Sequence, residues 1–215
     1  MKRSKRLSLS FTAVWLLSFA IAGFGQSLDE MLSAVKINDI ATFDRLVGRG
    51  VDVNSTDARG QTLLMLAARE GHDAIVARLI VARAKLNLRN SAGETALMFA
   101  SLKGHAGVVT RLLAAGAELN HRGWNPLLYA AFEGKTEICR ILLSKGSEID
   151  ARAPNGATAL MLAARQGHWD SVKLLLLQNA DARVKTDEGV TALQWALKAG
   201  NLDIAELLRK AGASE

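Results

Sequence analysis

Four histidines and one cysteine are the residues of this 215-residue chain best suited to ligate a metal or to act as base and nucleophile. Three of the histidines follow a glycine, in Gly71-His72, Gly104-His105 and Gly167-His168. A catalytic imidazole needs a reacting partner within hydrogen-bond reach and a third group to orient it. A metal site needs several ligands converging at about 2 Å from one ion. The sequence has no Gly-x-Ser-x-Gly elbow, no phosphate loop, no His-Glu-x-x-His and no paired cysteine. His121 stands alone among loop residues. A single cysteine, Cys139, also excludes an intramolecular disulfide framework. These residue types point to no catalytic centre, no metal and no cofactor.

What they do point to is repetition. Gly60-Gln-Thr-Leu-Leu-Met-Leu-Ala-Ala-Arg-Glu-Gly-His72 returns as Gly93-Glu-Thr-Ala-Leu-Met-Phe-Ala-Ser-Leu-Lys-Gly-His105 and as Gly156-Ala-Thr-Ala-Leu-Met-Leu-Ala-Ala-Arg-Gln-Gly-His168. Weaker copies run from Gly123 and from Gly189. The mid-repeat glycines Gly71, Gly104, Gly134, Gly167 and Gly200 are spaced 33, 30, 33 and 33, and Asn38 extends the register back by one unit. A second series, Gly50, Arg83, Gly116, Gly146, Asn179 and Gly212, keeps the same phase. Within each unit, Thr62, Thr95, Asn125, Thr158 and Thr191 precede an apolar run as N-caps. The mid-repeat Gly or Asn ends that helix in a left-handed turn. Arg83 breaks the rule, and an altered turn is expected there. The second helices, such as Asp73 to Ile80 and Asp170 to Leu176, show one apolar face at helical spacing. Cys139 takes a place that is Val76 or Val109 in other units, so a buried, inert thiol is expected. Three histidines in one slot of different units lie on helices about 8–10 Å apart, too far to share an ion; a turn-stabilising role is expected.

These motifs resemble ankyrin repeats, a family with a period of about 33 residues in which a turn is followed by two helices. The resemblance covers about residues 28–215. It implies an all-α solenoid of six helix-turn-helix units with short β-turn fingers, the units falling at about 28–56, 57–89, 90–122, 123–152, 153–185 and 186–215. The family's Pro and His after the Thr are mostly absent. Only Pro126 matches the proline, and the His slot holds Met65, Met98, Leu128, Met161 and Gln194, so the usual Thr–His bond is not available. No unit buries its apolar face alone; stacking does so. Ser27-Leu-Asp-Glu30 reads as a capping box opening the first helix.

Residues 1–25 read differently. Lys2, Arg3, Lys5 and Arg6 precede an uncharged run from Leu7 to Ala22, with small residues before a cut after Gly25. This is the layout of a secretory signal peptide, with an uncleaved inner-membrane anchor as the alternative. Beyond it the chain carries 23 basic and 21 acidic residues, a net charge of +2, which argues against nucleic-acid binding. Hydrophobic residues make up 49% and aromatics 5%, so the core must be aliphatic. A cysteine-poor exported chain fits a bacterial periplasm, or secretion beyond it.

The resemblance implies protein binding on the concave face made by the fingers and the ends of the first helices. Its variable slots hold Arg59, Arg69, Glu94, Leu102, Lys103, Trp124, Phe132, Glu133, Arg165, Gln166 and Glu188. Between Asn120 and Asn125 three residues of a finger are missing, directly beside Trp124. Two readings stand: a notch floored by Trp124 and walled by Phe132 and Leu102, or a Trp124 that folds over core left bare. Trp169 is expected to pack on the outer side. The leading expectation is a non-catalytic, monomeric, exported interaction scaffold with an unknown protein partner, touching the membrane only through its signal peptide. A secreted effector for a host protein is the alternative, and an enzyme accessory subunit with a catalytic role comes last.

Overall fold

The computed structural model describes residues 26–213; the expected signal segment lies outside the described residues. Among these the chain is all-helical, with twelve helices in six pairs. The pairs are α1 (26–36) with α2 (Ile40–Gly48), α3 (Leu63–Glu70) with α4 (Asp73–Val81), and α5 (Ala96–Lys103) with α6 (Ala106–Ala114). They continue as α7 (Pro126–Phe132) with α8 (Thr136–Ser144), α9 (Ala159–Gln166) with α10 (Trp169–Leu177), and α11 (Ala192–Ala199) with α12 (Leu202–Lys210). The only β features among the described residues are isolated antiparallel bridges, Thr56 with Thr62 and Lys185 with Thr191.

Each first helix from α3 onward starts where the sequence places its cap. Thr62, Thr95, Asn125, Thr158 and Thr191 are extended, and each side chain accepts from the backbone N–H three residues on. In three units the residue in the family's His slot still reaches back. Thr191 N–H donates to Gln194 Oε1 at 2.9 Å, while Thr62 and Thr95 donate to the thioethers of Met65 and Met98 at 3.4 and 3.3 Å. A sulfur is a weak acceptor, but it pairs a buried amide that would otherwise be left bare. Pro126 opens α7, where its missing N–H costs nothing.

The glycine after α3 is required twice over. Gly71 has φ +77°, and a Cβ there would lie 2.6 Å from His105 Nδ1 of the next unit. Arg83 was expected to alter its turn and does not: it takes the left-handed conformation at φ +62°, and its neighbour Ala84 still donates to Leu79 O at 2.9 Å. The six-fold stacking imposes the turn and the arginine bears the strain, about 1 kcal/mol. The capping box at Ser27 is also corrected. The helix already includes residue 26, so Ser27 lies inside α1.

The first helices are almost wholly buried: Leu63 to Ala68, Ala96 to Ala100 and Ala159 to Ala164 are each at most 6% exposed. Small residues let these helices approach closely. Successive first helices pack more tightly than successive second helices. The exposed ends of the first helices and the fingers share one face of the stack, called the inner face. No helix among the described residues is long and apolar enough to cross a membrane.

Candidate functional site

Two sets of bonds hold the inner face in register from one unit to the next. At the helix turns, His72 Nε2–H donates to Lys36 O, His105 to Arg69 O and His168 to Phe132 O, each at 3.0 Å. Asn201 takes the same part toward Ala164 O and Arg165 O. The expected turn-stabilising histidine is thus a hook onto the preceding unit. At the finger bases, Asn54, Asn87, Asn120 and Asp150 accept from the backbone N–H of Lys85, Glu118, Glu148 and Asp181, at 2.8 to 3.1 Å. Among these finger-base residues the sequence drew attention to Asn120, through the shortened finger, and to none of the bonds, because each bond joins different units.

The candidate residues sit as follows. Arg59 is exposed near the tip of the second finger, and its carbonyl accepts from Ser91 Oγ. Arg69 donates to Gln61 Oε1 at 3.0 Å and pairs with Glu70 at 2.9 Å. Glu94 is committed within the fold: it accepts from Tyr129 Oη at 3.0 Å and Asn90 Nδ2 at 2.8 Å. Burial, and then the Glu94 carboxylate, push the Tyr129 phenol well above its ordinary range. Leu102 and Phe132 are half-buried, while Lys103, Glu133, Arg165, Gln166 and Glu188 are exposed. Gln61 and Ala157, which share the variable slots, are buried at 7% and 0% exposure. They belong to the interior.

Trp124 is half-buried and packs on the core. Its ring lies 4.9 Å from Tyr129 and 6.0 Å edge-on from Phe132. The gap left by the short finger opens on its other side. A cleft of about 680 Å³ there is lined by Asn120 to Gly123 and by Glu148, Asp150, Ala151 and Arg152; Trp124, Phe132 and Leu102 do not line it. His121 sits at that cleft with both ring nitrogens buried and unpartnered. Burial, and then Arg89, hold its pKa below the ordinary histidine value.

Two aromatic residues were missed. Tyr129 completes the cluster with Trp124 and Phe132. Trp195 lies beneath the Arg165 guanidinium, 5.2 Å from ring centroid to Cζ, and both line a hollow of about 460 Å³ with Asn155, Glu188, Lys198 and Ala199. In other units the Trp195 slot holds Leu66 and Leu162, both nearly buried, so the sequence offered a core residue. Trp169, at the start of α10, is 39% exposed, with the Lys173 ammonium 4.9 Å from its ring. Cys139 is 0% exposed, and burial pushes its thiol up to about 12, which keeps it protonated and unreactive. Among the described residues no three His, Cys, Asp or Glu side chains converge on a metal position.

A stack of helix pairs that hook onto one another and expose a row of variable side chains is a solenoid repeat architecture, in which each unit contacts only its neighbours. The family model described as ankyrin repeats (3 copies) matches residues 31–122, 75–153 and 127–214. The chain belongs to the ankyrin-repeat family. No curated protein matches it. Ankyrin repeats are generally protein–protein interaction modules, and proteins built from them are typically non-enzymatic scaffolds.

Proposed function

We propose that this chain is a non-catalytic, exported interaction scaffold that takes a partner protein on its inner face. The observation that carries the reading is the aromatic cluster of Trp124, Tyr129 and Phe132, half-buried on the face that also bears the variable charged side chains. Aromatic and arginine side chains on a rigid face dominate binding energy at protein interfaces. The face is rigid because each unit is tied to its neighbours, so little ordering cost falls on association. Export follows from the layout of residues 1–25, and a periplasmic location from the absence of bridging cysteines.

The test has two parts. The full chain, tagged at its C-terminus and expressed in a bacterium, is fractionated and its N-terminus sequenced; a mature start at Gln26 in the periplasm is expected, and a cytoplasmic chain with an intact leader overturns the export reading. Crosslinked partners are then compared between the native chain and the double substitution Leu102→Ser, Phe132→Ser. Loss of the crosslinked protein with unchanged helical circular dichroism is expected. Undiminished crosslinking by the folded variant overturns the assignment of this face.

A further inference from the structure

The seventh residue of each first helix from α3 to α11 reads Arg69, Leu102, Phe132, Arg165, Lys198. The hooks identify the same slot one unit earlier: Lys36 O accepts from His72 as Arg69 O accepts from His105 and Phe132 O from His168. The complete row is therefore Lys36, Arg69, Leu102, Phe132, Arg165, Lys198. Two basic residues, two apolar residues and two basic residues follow one another along a single line of the inner face. Lys36, Arg165 and Lys198 are exposed, and Arg69, Leu102 and Phe132 are half-buried.

We propose, building on the function just given, that the partner segment lying along this row is apolar at its middle and acidic toward both ends. Charge complementarity commits the ends. Arg165 lies over the Trp195 ring, and a guanidinium placed on an aromatic face keeps its edge donors free for a carboxylate. Lys198 lies beside it across the same hollow. At the other end Lys36 is exposed and Arg69 is oriented by Gln61. Carboxylates already present temper the field without reversing it. Glu70 is spent on Arg69, Glu188 rims the hollow, and Glu133 stands exposed beside Phe132. The middle is committed by Leu102 and Phe132, with Trp124 edge-on to Phe132. Units spaced about 8–10 Å apart put Arg69 and Arg165 roughly 30 Å from each other. An extended segment of about 14 residues, at about 3.3 Å each, covers the whole row.

The test uses the full chain and three synthetic peptides of about that length in fluorescence anisotropy. One has glutamates at both ends and Leu and Phe at the centre. The second has lysines at the ends and the same centre. The third has glutamate ends and a serine centre. The first is expected to bind at least tenfold more tightly than either other peptide, and to weaken as salt is raised. The double substitution Arg69→Glu, Arg165→Glu is expected to switch preference to the lysine-ended peptide. A switch of preference cannot come from unfolding, so the variant controls for its own fold. Equal binding of all three peptides, or preference of the native chain for lysine ends, overturns the proposal. Failure here with crosslinking still lost in the Leu102→Ser, Phe132→Ser protein leaves the binding face standing and removes only the acidic partner; failure of both removes the face.

Discussion

The joint between the second and third units and the joint between the third and fourth are built from different interactions. The first is pinned at several points by polar groups. His105 hooks Arg69 O, Asn87 accepts from Glu118, Ser91 reaches Arg59 O, and Arg111 forks onto the Asp73 carboxylate of the neighbouring outer helix. That fork holds Asp73 below the usual carboxylate range. At the second joint the hook slot holds Lys135, whose aliphatic stem lies over Gly104, with its Cδ 3.1 Å from where a Cβ would be. What remains is Asn120, which accepts from Glu148 N–H and donates to Gly146 O, and Tyr129 donating to Glu94, with the aromatic cluster packed inside the fourth unit. The fourth finger is also the short one. Its neighbours close with paired backbone bonds, such as Asn90 N to Glu94 O and Ala153 N to Ala157 O, and no such pair spans 120–125. Both joints keep a finger-base bond, but only the first adds the helix-turn hook and the fork between outer helices. The comparison teaches that the solenoid stays in register at a joint that lacks its hook.

Trp124→Ala tests the fourth unit, beside the second joint, most severely. Removing a ring that packs on the core and on two aromatic neighbours is expected to cost about 3 kcal/mol, read by urea denaturation. A loss below about 1 kcal/mol, no larger than one hydrogen bond, would mean that the aromatic cluster does not hold this unit together. Next in size is an exchange of the hook. His105→Ala is expected to cost about 1 kcal/mol, and Lys135→His to gain about as much by offering Leu102 O a donor over Gly104. If Lys135→His gives no gain, the two joints differ in more than the missing hook. Arg83→Gly is expected to raise stability by about 1 kcal/mol, since it relieves the left-handed strain at the edge of the better-pinned joint.

The smallest effect concerns pH. His121 titrates from an ordinary value of 6.5 to a lower one in the fold, because burial and then Arg89 oppose its charge, with Glu118 and the Asn120 backbone acting the other way. The unfolded chain therefore binds the proton first as pH falls. The stability that the neutral ring contributes is present above about 6.5 and is lost as pH falls below it. His121→Leu is expected to flatten that part of the stability profile between pH 7 and 5 and to leave the profile at higher pH parallel to the native one. An unchanged slope in the variant would place the titration elsewhere.

The fold was legible because a 33-residue period writes itself into residues that must recur: the Thr caps, the left-handed glycines and the small alanines. Each of those is fixed by contacts within its own unit or by an identical neighbour. The hooks and the finger-base bonds were visible as spacing but not as bonds, since a partner in the next unit is an adjacency that a linear reading does not supply. Arg83 misled for a related reason: a local propensity of about 1 kcal/mol gives way to cooperative stacking. The variable slots were read as one exposed row, yet Ala157 and Gln61 are interior and Trp195 is partly open. Whether a position on a short, tightly stacked helix sees solvent depends on the size of the side chains in the adjoining units.

The missing hook has a mechanical outcome. The third and fourth units still share the Asn120 and Tyr129 bonds, so they too must break hydrogen bonds to separate, but at the helix turn over Gly104 they lack the bond that the other joints carry. Under a pull along the stack, that turn is where the first parting is expected.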